Sequence, residues 1–264
     1  MKILLIGCGN LGKSLLKIWS ESLEDKEIIV VQPSLYAQNI FKQDARITFV
    51  KDMTAVKKNF IANIVILALK PNNLEEFMLQ NSNYLDKKII ISLLAGVSIS
   101  KLNSYFIKTQ KIIRLMPNIA MSVGQSINLV YAESETLEIV NLNIIEKLFE
   151  CSGKIIWLPS EEAISYLTPI SASGPAYFFA LAETLTNITI SYGIEEKMAR
   201  ELIAQILLGS SMLSLSNNNF NQLAEAISSK GGITEVALNI LKPALSVATD
   251  EAIKAAAKKM KELI

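Results

Sequence analysis

Residues 2–12 read KILLIGCGNLG, in which a short apolar run is followed by a glycine-rich turn. The run at 2–6 predicts a buried strand, and the stretch 10–20, with its leucines and tryptophan on one face, predicts a helix. In a G-x-G-x-x-G turn the glycines allow a tight turn, close approach of backbone to a pyrophosphate, and close packing of helix on strand. Such a turn can be purely structural, but the strand before it and the helix after it favour dinucleotide binding.

Runs of Ile, Val and Leu recur as far as residue 158, separated by polar and amphipathic stretches. They lie at residues 27–31, 46–50, 64–69, 88–93, 111–115 and 154–158. Short continuous apolar runs that alternate with helices are typical of a parallel sheet covered on both faces. The predicted fold class is therefore α/β, with an N-terminal Rossmann-type doubly wound sheet.

After about residue 160 no strand-like run occurs, and the pattern indicates helices only. We predict them at residues 175–192, 195–214, 220–228, 234–241 and 243–264. An earlier amphipathic helix is predicted at 137–149. We therefore expect a Rossmann domain over residues 1–160 and an all-helical domain over residues 161–264.

Composition excludes several classes of function. Half of the 264 residues are hydrophobic, so the chain can form a core and is not disordered. A net charge of +1 argues against a nucleic-acid or anionic-membrane partner. The sequence contains no histidine, which removes histidine catalysis and histidine metal ligands, and we expect no metal site. Two distant cysteines, without a leader-like start or a long apolar segment, favour free thiols in a cytoplasmic protein with no membrane contact.

The end of the second predicted strand bears on the choice of dinucleotide. An acidic residue at this point favours NAD and a nearby arginine favours NADP. The sequence has neither, because the strand is followed by Gln32, Pro33 and Ser34. Gln32 and Ser34 can each hydrogen-bond a hydroxyl or a phosphate, so the choice between NADH and NADPH stays open.

Three later strand ends are also candidates for ligand contacts, because ligands of open α/β sheets lie beyond the carboxyl ends of the strands. They read LALKP at 67–71, SLLAGV at 92–97 and RLMPN at 114–118. The small residues in the second of these leave room for a nicotinamide ribose. The prolines Pro71 and Pro117 could instead serve only to reverse the chain.

Two segments rich in Gly and Ser precede helices in the second half, at 171–175 and 228–234. Hydroxyls and unpaired backbone N–H groups there could bind a small carboxylate, although ordinary capping of a helix by serine is the simpler interpretation of either segment alone. Lys230 fits a solvated surface residue, and Cys8 fits a small filler. The neighbouring carboxylates of Glu161 and Glu162 point different ways on a helix, so no acid–base pair is predicted.

Taken together, these segments resemble the pyrroline-5-carboxylate reductase family over almost the whole chain. The motifs that carry the resemblance are IGCGNLG at 6–12, LALKP at 67–71, ISLLAGVSI at 91–99, RLMPN at 114–118, SASGPAY at 171–177 and SSKGGIT at 228–234. The last two are the most specific. Three places differ from the family pattern: Ala172 replaces a glycine, Lys230 replaces a proline, and Gln32-Pro33 replaces Asn-Arg.

The resemblance implies a reductase that uses NADPH or NADH to transfer hydride to the C=N bond of 1-pyrroline-5-carboxylate, giving L-proline. It also implies a helical domain that forms a homodimer, or a higher homo-oligomer. The implied cofactor contacts are Ile6, Gly7, Cys8, Gly9, Asn10, Leu11, Gly12, Gln32, Ser34, Ala68, Leu69, Lys70, Pro71, Leu94, Ala95, Gly96, Met116 and Asn118. The implied substrate contacts are Ser173, Ser229, Gly231, Gly232 and Ile233, and Thr234 is the implied catalytic residue, with its hydroxyl near the ring nitrogen.

Three other functions are compatible with the glycine loop. A 3-hydroxyacid dehydrogenase of the same plan would have a catalytic lysine on the helix at 175–192, and that stretch contains no lysine. A related imine reductase would share the plan. A non-catalytic dinucleotide sensor would keep the loop but would have no reason to keep the segment 229–234.

Overall fold

A computed structural model describes residues 1–22, 25–108, 110–139, 143–217 and 219–262. The chain divides into two compact units. Unit 1 comprises Met1–Ser173 and Ala257–Ile264, and unit 2 comprises Gly174–Ala256.

Eight strands among the described residues of unit 1 form one sheet. They are β1 (Lys2–Ile6), β2 (Glu27–Val31), β3 (Ile47–Val50), β4 (Ile64–Leu67), β5 (Ile89–Ser92), β6 (Lys111–Met116), β7 (Ser126–Ala132) and β8 (Gly153–Trp157). Their order is β3-β2-β1-β4-β5-β6-β7-β8. All neighbours are parallel except β6 and β7. The predicted α/β class is confirmed, and the order reverses between β1 and β4, which is the point where such sheets bind ligands.

Helices cover both faces of this sheet, which explains the continuous apolar runs of the central strands. They are α1 (Asn10–Ser22), α2 (Leu74–Leu85), α3 (Ile99–Asn103), α4 (Ser134–Ile139), α5 (Asn143–Phe149) and α6 (Glu161–Ser171). One face buries Leu15 and Trp19 of α1 against alternate residues of the strands. The opposite face buries Met78 and Leu85 of α2. Within the predicted helix at 137–149, residues 137–139 and 143–149 are helical, and residues 140–142 lie outside the described residues.

Strand β7 is absent from the sequence-based prediction, and its polar residues explain why. Asn128, in the middle of the strand, is fully buried, and its side-chain amide donates to the Ser152 hydroxyl at 3.0 Å. Ser126 at the start of the strand is also buried. These residues interrupt the apolar run that marks the other strands.

The secondary structure among the described residues of unit 2 is helical, as predicted, with turns and loops between the helices. Its helices are α7 (Gly174–Ser191), α8 (Glu196–Ser216), α9 (Phe220–Ala226) and the part of α10 (Ile233–Lys261) up to Ala256. The prediction of separate helices at 234–241 and 243–264 is wrong, because α10 continues through Pro243. A proline ring clashes with only one preceding carbonyl and removes only one hydrogen bond, so a long helix can contain it.

The sequence pattern and the contacts assign helix α6 to different parts of the chain. The pattern places residues 161–171 in the second domain, whereas the contacts place them in unit 1. The reason is that α6 packs against β6 and β7 and buries Ile164 completely. The functional division near residue 160 stays a prediction.

Candidate active site

The glycine loop after β1 is shaped by two close approaches. Gly7 has a φ of +92°, and a Cβ there would lie 2.7 Å from the backbone oxygen of Ala68. A Cβ on Gly12 would lie 2.8 Å from the oxygen of Gly7. By contrast, a Cβ on Gly9 would meet no atom within 4 Å. Gly7 and Gly12 are therefore required for packing, while the backbone of Gly9 borders open space.

That open space belongs to a crevice of about 520 Å³ at the carboxyl ends of the central strands. Of the predicted cofactor residues, the crevice is lined by Ile6, Gly7, Cys8, Gly9, Gln32, Ala68, Leu69 and Lys70. Those that do not line it are Asn10, Leu11, Gly12, Ser34, Pro71, Leu94, Ala95, Gly96, Met116 and Asn118. Both Gly12 and Asn10 belong to α1, whose N-terminus adjoins the crevice through Gly9.

Sequence reasoning missed a further group of residues in the crevice wall. They are Lys51, Asp52, Met53, Thr54, Asn73, Glu76, Phe77, Gln80 and Asn81, together with Val31. The first four directly follow β3, so applying the strand-end rule to β3 would have found them. Asp52 accepts hydrogen bonds from the Thr54 hydroxyl and from the backbone N–H groups of Thr54 and Ala55. The Thr54 hydroxyl is the main cause that lowers the pKa of Asp52 below its usual value.

Gln32 and Cys8 connect the end of β2 to the glycine loop. The backbone N–H of Cys8 donates to the side-chain oxygen of Gln32 at 2.7 Å. The Cys8 side chain itself is buried, and burial raises the pKa of its thiol to about 11. A thiol that stays protonated at neutral pH is a poor nucleophile, which favours a packing role for Cys8.

The end of β6 and the loops after β5 and β6 hold five more of the predicted cofactor residues. Leu94 and Met116 are buried, and Gly96 has a φ of +73°. The Asn118 side chain accepts from the N–H of Ala120 and donates to the backbone oxygen of Ser171, both at 3.0 Å. These bonds fix the orientation of Asn118.

The predicted substrate residues divide between the units, since Ser173 ends the first segment of unit 1 and Ser229–Thr234 lie in unit 2. Gly231 has a φ of +71°, and its N–H donates to the carboxylate of Glu235 at 2.7 Å. The N–H of Gly232 donates to the backbone oxygen of Ser229 at 2.9 Å. Helix α10 begins directly after this loop, so Thr234 lies in its first turn.

The described residues hold neither a cluster of metal ligands nor a membrane-spanning helix. The described residues contain no group of three or more Cys, Asp or Glu side chains placed to hold a metal ion. Over the same residues, no helix combines the length and the apolar character needed to cross a membrane.

Two family models match the chain. Residues 161–263 match the family described as "Pyrroline-5-carboxylate reductase dimerisation". Residues 2–96 match the family described as "NADP oxidoreductase coenzyme F420-dependent".

Individual proteins match over nearly the whole chain. The pyrroline-5-carboxylate reductase of Haemophilus influenzae is 30% identical over 243 residues, covering 90% of this chain and 88% of the relative. That of Aquifex aeolicus is 27% identical, covering 89% and 86%. Among solved structures, a pyrroline-5-carboxylate reductase from Coxiella burnetii superposes with a TM-score of 0.86 at 28% identity, covering 99% of this chain and 97% of that one.

Proposed function

The chain belongs to the pyrroline-5-carboxylate reductase family, and from this premise we propose how its residues carry out the reaction. It is an oxidoreductase that acts on a CH–NH bond, reducing the C=N bond of 1-pyrroline-5-carboxylate to give L-proline with NADPH or NADH. These matches cover most of this chain and most of each relative, which supports assigning the activity to the whole chain.

The main observation in support of the cofactor site is that the backbone of Gly9 borders open space beside the crevice. A pyrophosphate can approach the backbone of a glycine that borders open space. It can also accept hydrogen bonds from the free N–H groups at the start of α1. We assign the pyrophosphate to residues 6–12, the adenosine ribose to Gln32 and Ser34, and neighbouring contacts to residues 68–71. Leu94, Ala95, Gly96, Met116 and Asn118 are assigned to the nicotinamide end. The bound dinucleotide supplies the hydride.

The chain's own part in the chemistry is to bind, orient and protonate the substrate. A cyclic imine accepts hydride readily once its nitrogen carries a proton, so correct placement contributes much of the rate. We assign the Thr234 hydroxyl to hold that proton, directly or through a water. No histidine is needed for this step.

The substrate carboxylate is assigned to the loop at Ser229–Ile233, with Ser173 as a further contact. The N–H groups of Gly231 and Gly232 already donate to protein acceptors, the Glu235 carboxylate in α10 and the Ser229 backbone oxygen. The first turn of a helix has N–H groups without intrahelical partners. The N–H groups of Ile233 and Thr234 are therefore the donors that suit a carboxylate best, while the two glycines shape the loop.

Assembly and location follow from other features. The C-terminal region matches a dimerisation family, and the chain forms a homo-oligomer through it. Unit 2 by itself exposes many large apolar side chains, including Phe178, Phe179, Met212 and Ile240, as expected of a surface that is covered by a partner. Two cysteines that form no disulfide agree with a cytoplasmic location.

The test is oxidation of NADPH and NADH, run in parallel, with 1-pyrroline-5-carboxylate as the substrate and a 3-hydroxyacid assayed in the reverse direction. We expect turnover with the imine and none with the hydroxyacid. Tight dinucleotide binding without turnover would favour a sensor instead. The ratio of kcat/KM for the two dinucleotides decides the cofactor preference.

A further inference from the structure

One buried ion pair in unit 1 takes no part in the cofactor contacts described above. Arg114, in β6, has a side chain that is only 4% exposed, and its Nη1 lies 2.9 Å from Oε1 of Glu161. The same carboxylate oxygen accepts the backbone N–H of Ile99 at 2.7 Å. A single carboxylate in the first turn of α6 therefore connects a strand of the sheet to the start of α3.

The two groups that Glu161 binds stand next to the loops assigned to the nicotinamide end. Ile99 begins α3, directly after the loop that contains Leu94, Ala95 and Gly96. Arg114 precedes Met116 by two residues in the same strand. Moving either group would move one of these loops.

Breaking this ion pair has a large cost in free energy. Among the described residues Arg114 makes no other ion pair, and its Nη2 is buried without a hydrogen-bond partner. Removing the partner of a buried charge leaves that charge uncompensated, which is strongly unfavourable. Glu161 is thus held in place by the charge that it neutralises.

Helix α6 makes a second connection to the same region at its other end. The side chain of Asn118 donates to the backbone oxygen of Ser171, the last residue of α6, at 3.0 Å. Ile164, between the two ends, is fully buried. The helix therefore braces the loop after β6 at one end and the loop after β5 at the other.

We propose that Glu161 is a positioning residue, which holds the loops after β5 and β6 in the arrangement that binds the nicotinamide half of the cofactor. It acts through Arg114 and Ile99 and touches no reacting atom. This inference rests on the proposed function. It predicts that losing the carboxylate weakens contacts to the nicotinamide half and leaves contacts to the adenosine half intact.

The experiment compares two probes, NADPH and the 2′-phosphate of ADP-ribose, which lacks the nicotinamide. Binding of each is measured by calorimetry for the wild type, Glu161→Gln and the control Glu162→Gln, which removes the same charge from the adjacent, exposed position. Glu161→Gln should weaken NADPH binding about tenfold and lower kcat by roughly 10- to 100-fold, because small displacements of positioning groups have effects of that size. The shorter probe should bind equally to all three proteins, and Glu162→Gln should resemble the wild type.

Two additional variants keep the proposal testable if Glu161→Gln fails to fold. Glu161→Asp keeps the charge but shortens the side chain, so it should show a weaker form of the same selective defect. The double variant Arg114→Gln/Glu161→Gln leaves no buried charge unpaired, and it should fold and still bind NADPH poorly. Unchanged NADPH binding in these variants, or equal weakening of both probes, would overturn the proposal. A wild-type protein that binds neither of these probes and does not bind NADH would overturn the proposed function itself.

Discussion

The backbone oxygen of Gly7 lies 2.8 Å from the point that a Cβ on Gly12 would occupy, so α1 meets the end of β1 as closely as glycine permits. Gly12→Ala must push the helix and the loop apart. We expect a loss of about 1–3 kcal/mol in the free energy of unfolding, the usual cost of overpacking, together with weaker dinucleotide binding. Urea unfolding and NADPH titration measure the two effects.

Gly9→Ala is the matched variant in the same loop, because a Cβ there meets no atom within 4 Å. The fold should keep its stability to within about 0.5 kcal/mol, as for substitutions without new contacts. NADPH binding should nevertheless weaken by tenfold or more, since the methyl group stands where the pyrophosphate is assigned. If Gly9→Ala bound NADPH as tightly as the wild type, the assignment of the pyrophosphate to this loop would be wrong.

Much of the Rossmann sheet is readable from sequence because its strands are buried on both faces and therefore form unbroken apolar runs. Two features are not readable from the sequence, because each depends on a polar residue whose partner is distant in the chain. β7 contains Asn128, a buried polar residue whose partner Ser152 is 24 positions away, so nothing local marks the strand. Likewise, Glu161 shows no local sign of its role, because Arg114 is 47 positions distant.

The candidate site shows a similar division. Backbone requirements were predictable, since the glycine spacing around residues 7–12 specifies close approaches that the structure contains. Side-chain partners were not, and the bond from the Cys8 N–H to Gln32 could only be seen in the fold. Pro243 shows the opposite error, because a strong local signal for a helix end is overridden within a helix of 29 residues.

Gly232 provides a test of the substrate loop that is separate from the cofactor site. A Cβ on Gly232 would lie 2.9 Å from the backbone oxygen of Ser229 and would also collide with the Ser229 hydroxyl. Gly232→Ala should therefore distort the loop and raise KM for 1-pyrroline-5-carboxylate by about tenfold or more, as expected when a positioned binding group is lost. The dissociation constant for NADPH should not change. Gly209→Ala, in α8, is a suitable control because a Cβ there meets no atom within 4 Å. A selective loss of NADPH binding in Gly232→Ala would contradict the assignment.

Thr234 is expected to contribute through its hydroxyl alone. Thr234→Ala should lower kcat by about 100-fold or less, the usual contribution of one positioned proton-transfer group. Thr234→Ser keeps the hydroxyl and should recover most of the activity. Steady-state kinetics at saturating NADPH distinguish the two variants. Wild-type kcat in Thr234→Ala would remove this residue from the mechanism.

The Cys8 thiol gives a prediction that depends on pH. Burial raises its pKa from 9.0 to about 11, so the folded protein holds the proton more tightly than the unfolded chain does. The associated stability is fully present below about pH 9 and is lost as the pH rises towards 11. At pH 8 the folded thiolate population should be about 100-fold smaller than in the unfolded chain, because the two pKa values differ by two.

Alkylation by iodoacetamide at pH 8, followed by peptide mass spectrometry, measures this difference at Cys8 separately from Cys151. Modification of Cys8 should be about 100-fold slower in the folded protein than in urea, since the thiolate is the reactive form. Bound NADPH should slow it further, because the assigned pyrophosphate lies against the same loop. Equal rates in the folded and unfolded protein would mean that the thiol is not buried, and the packing that shapes the glycine loop would then be wrong.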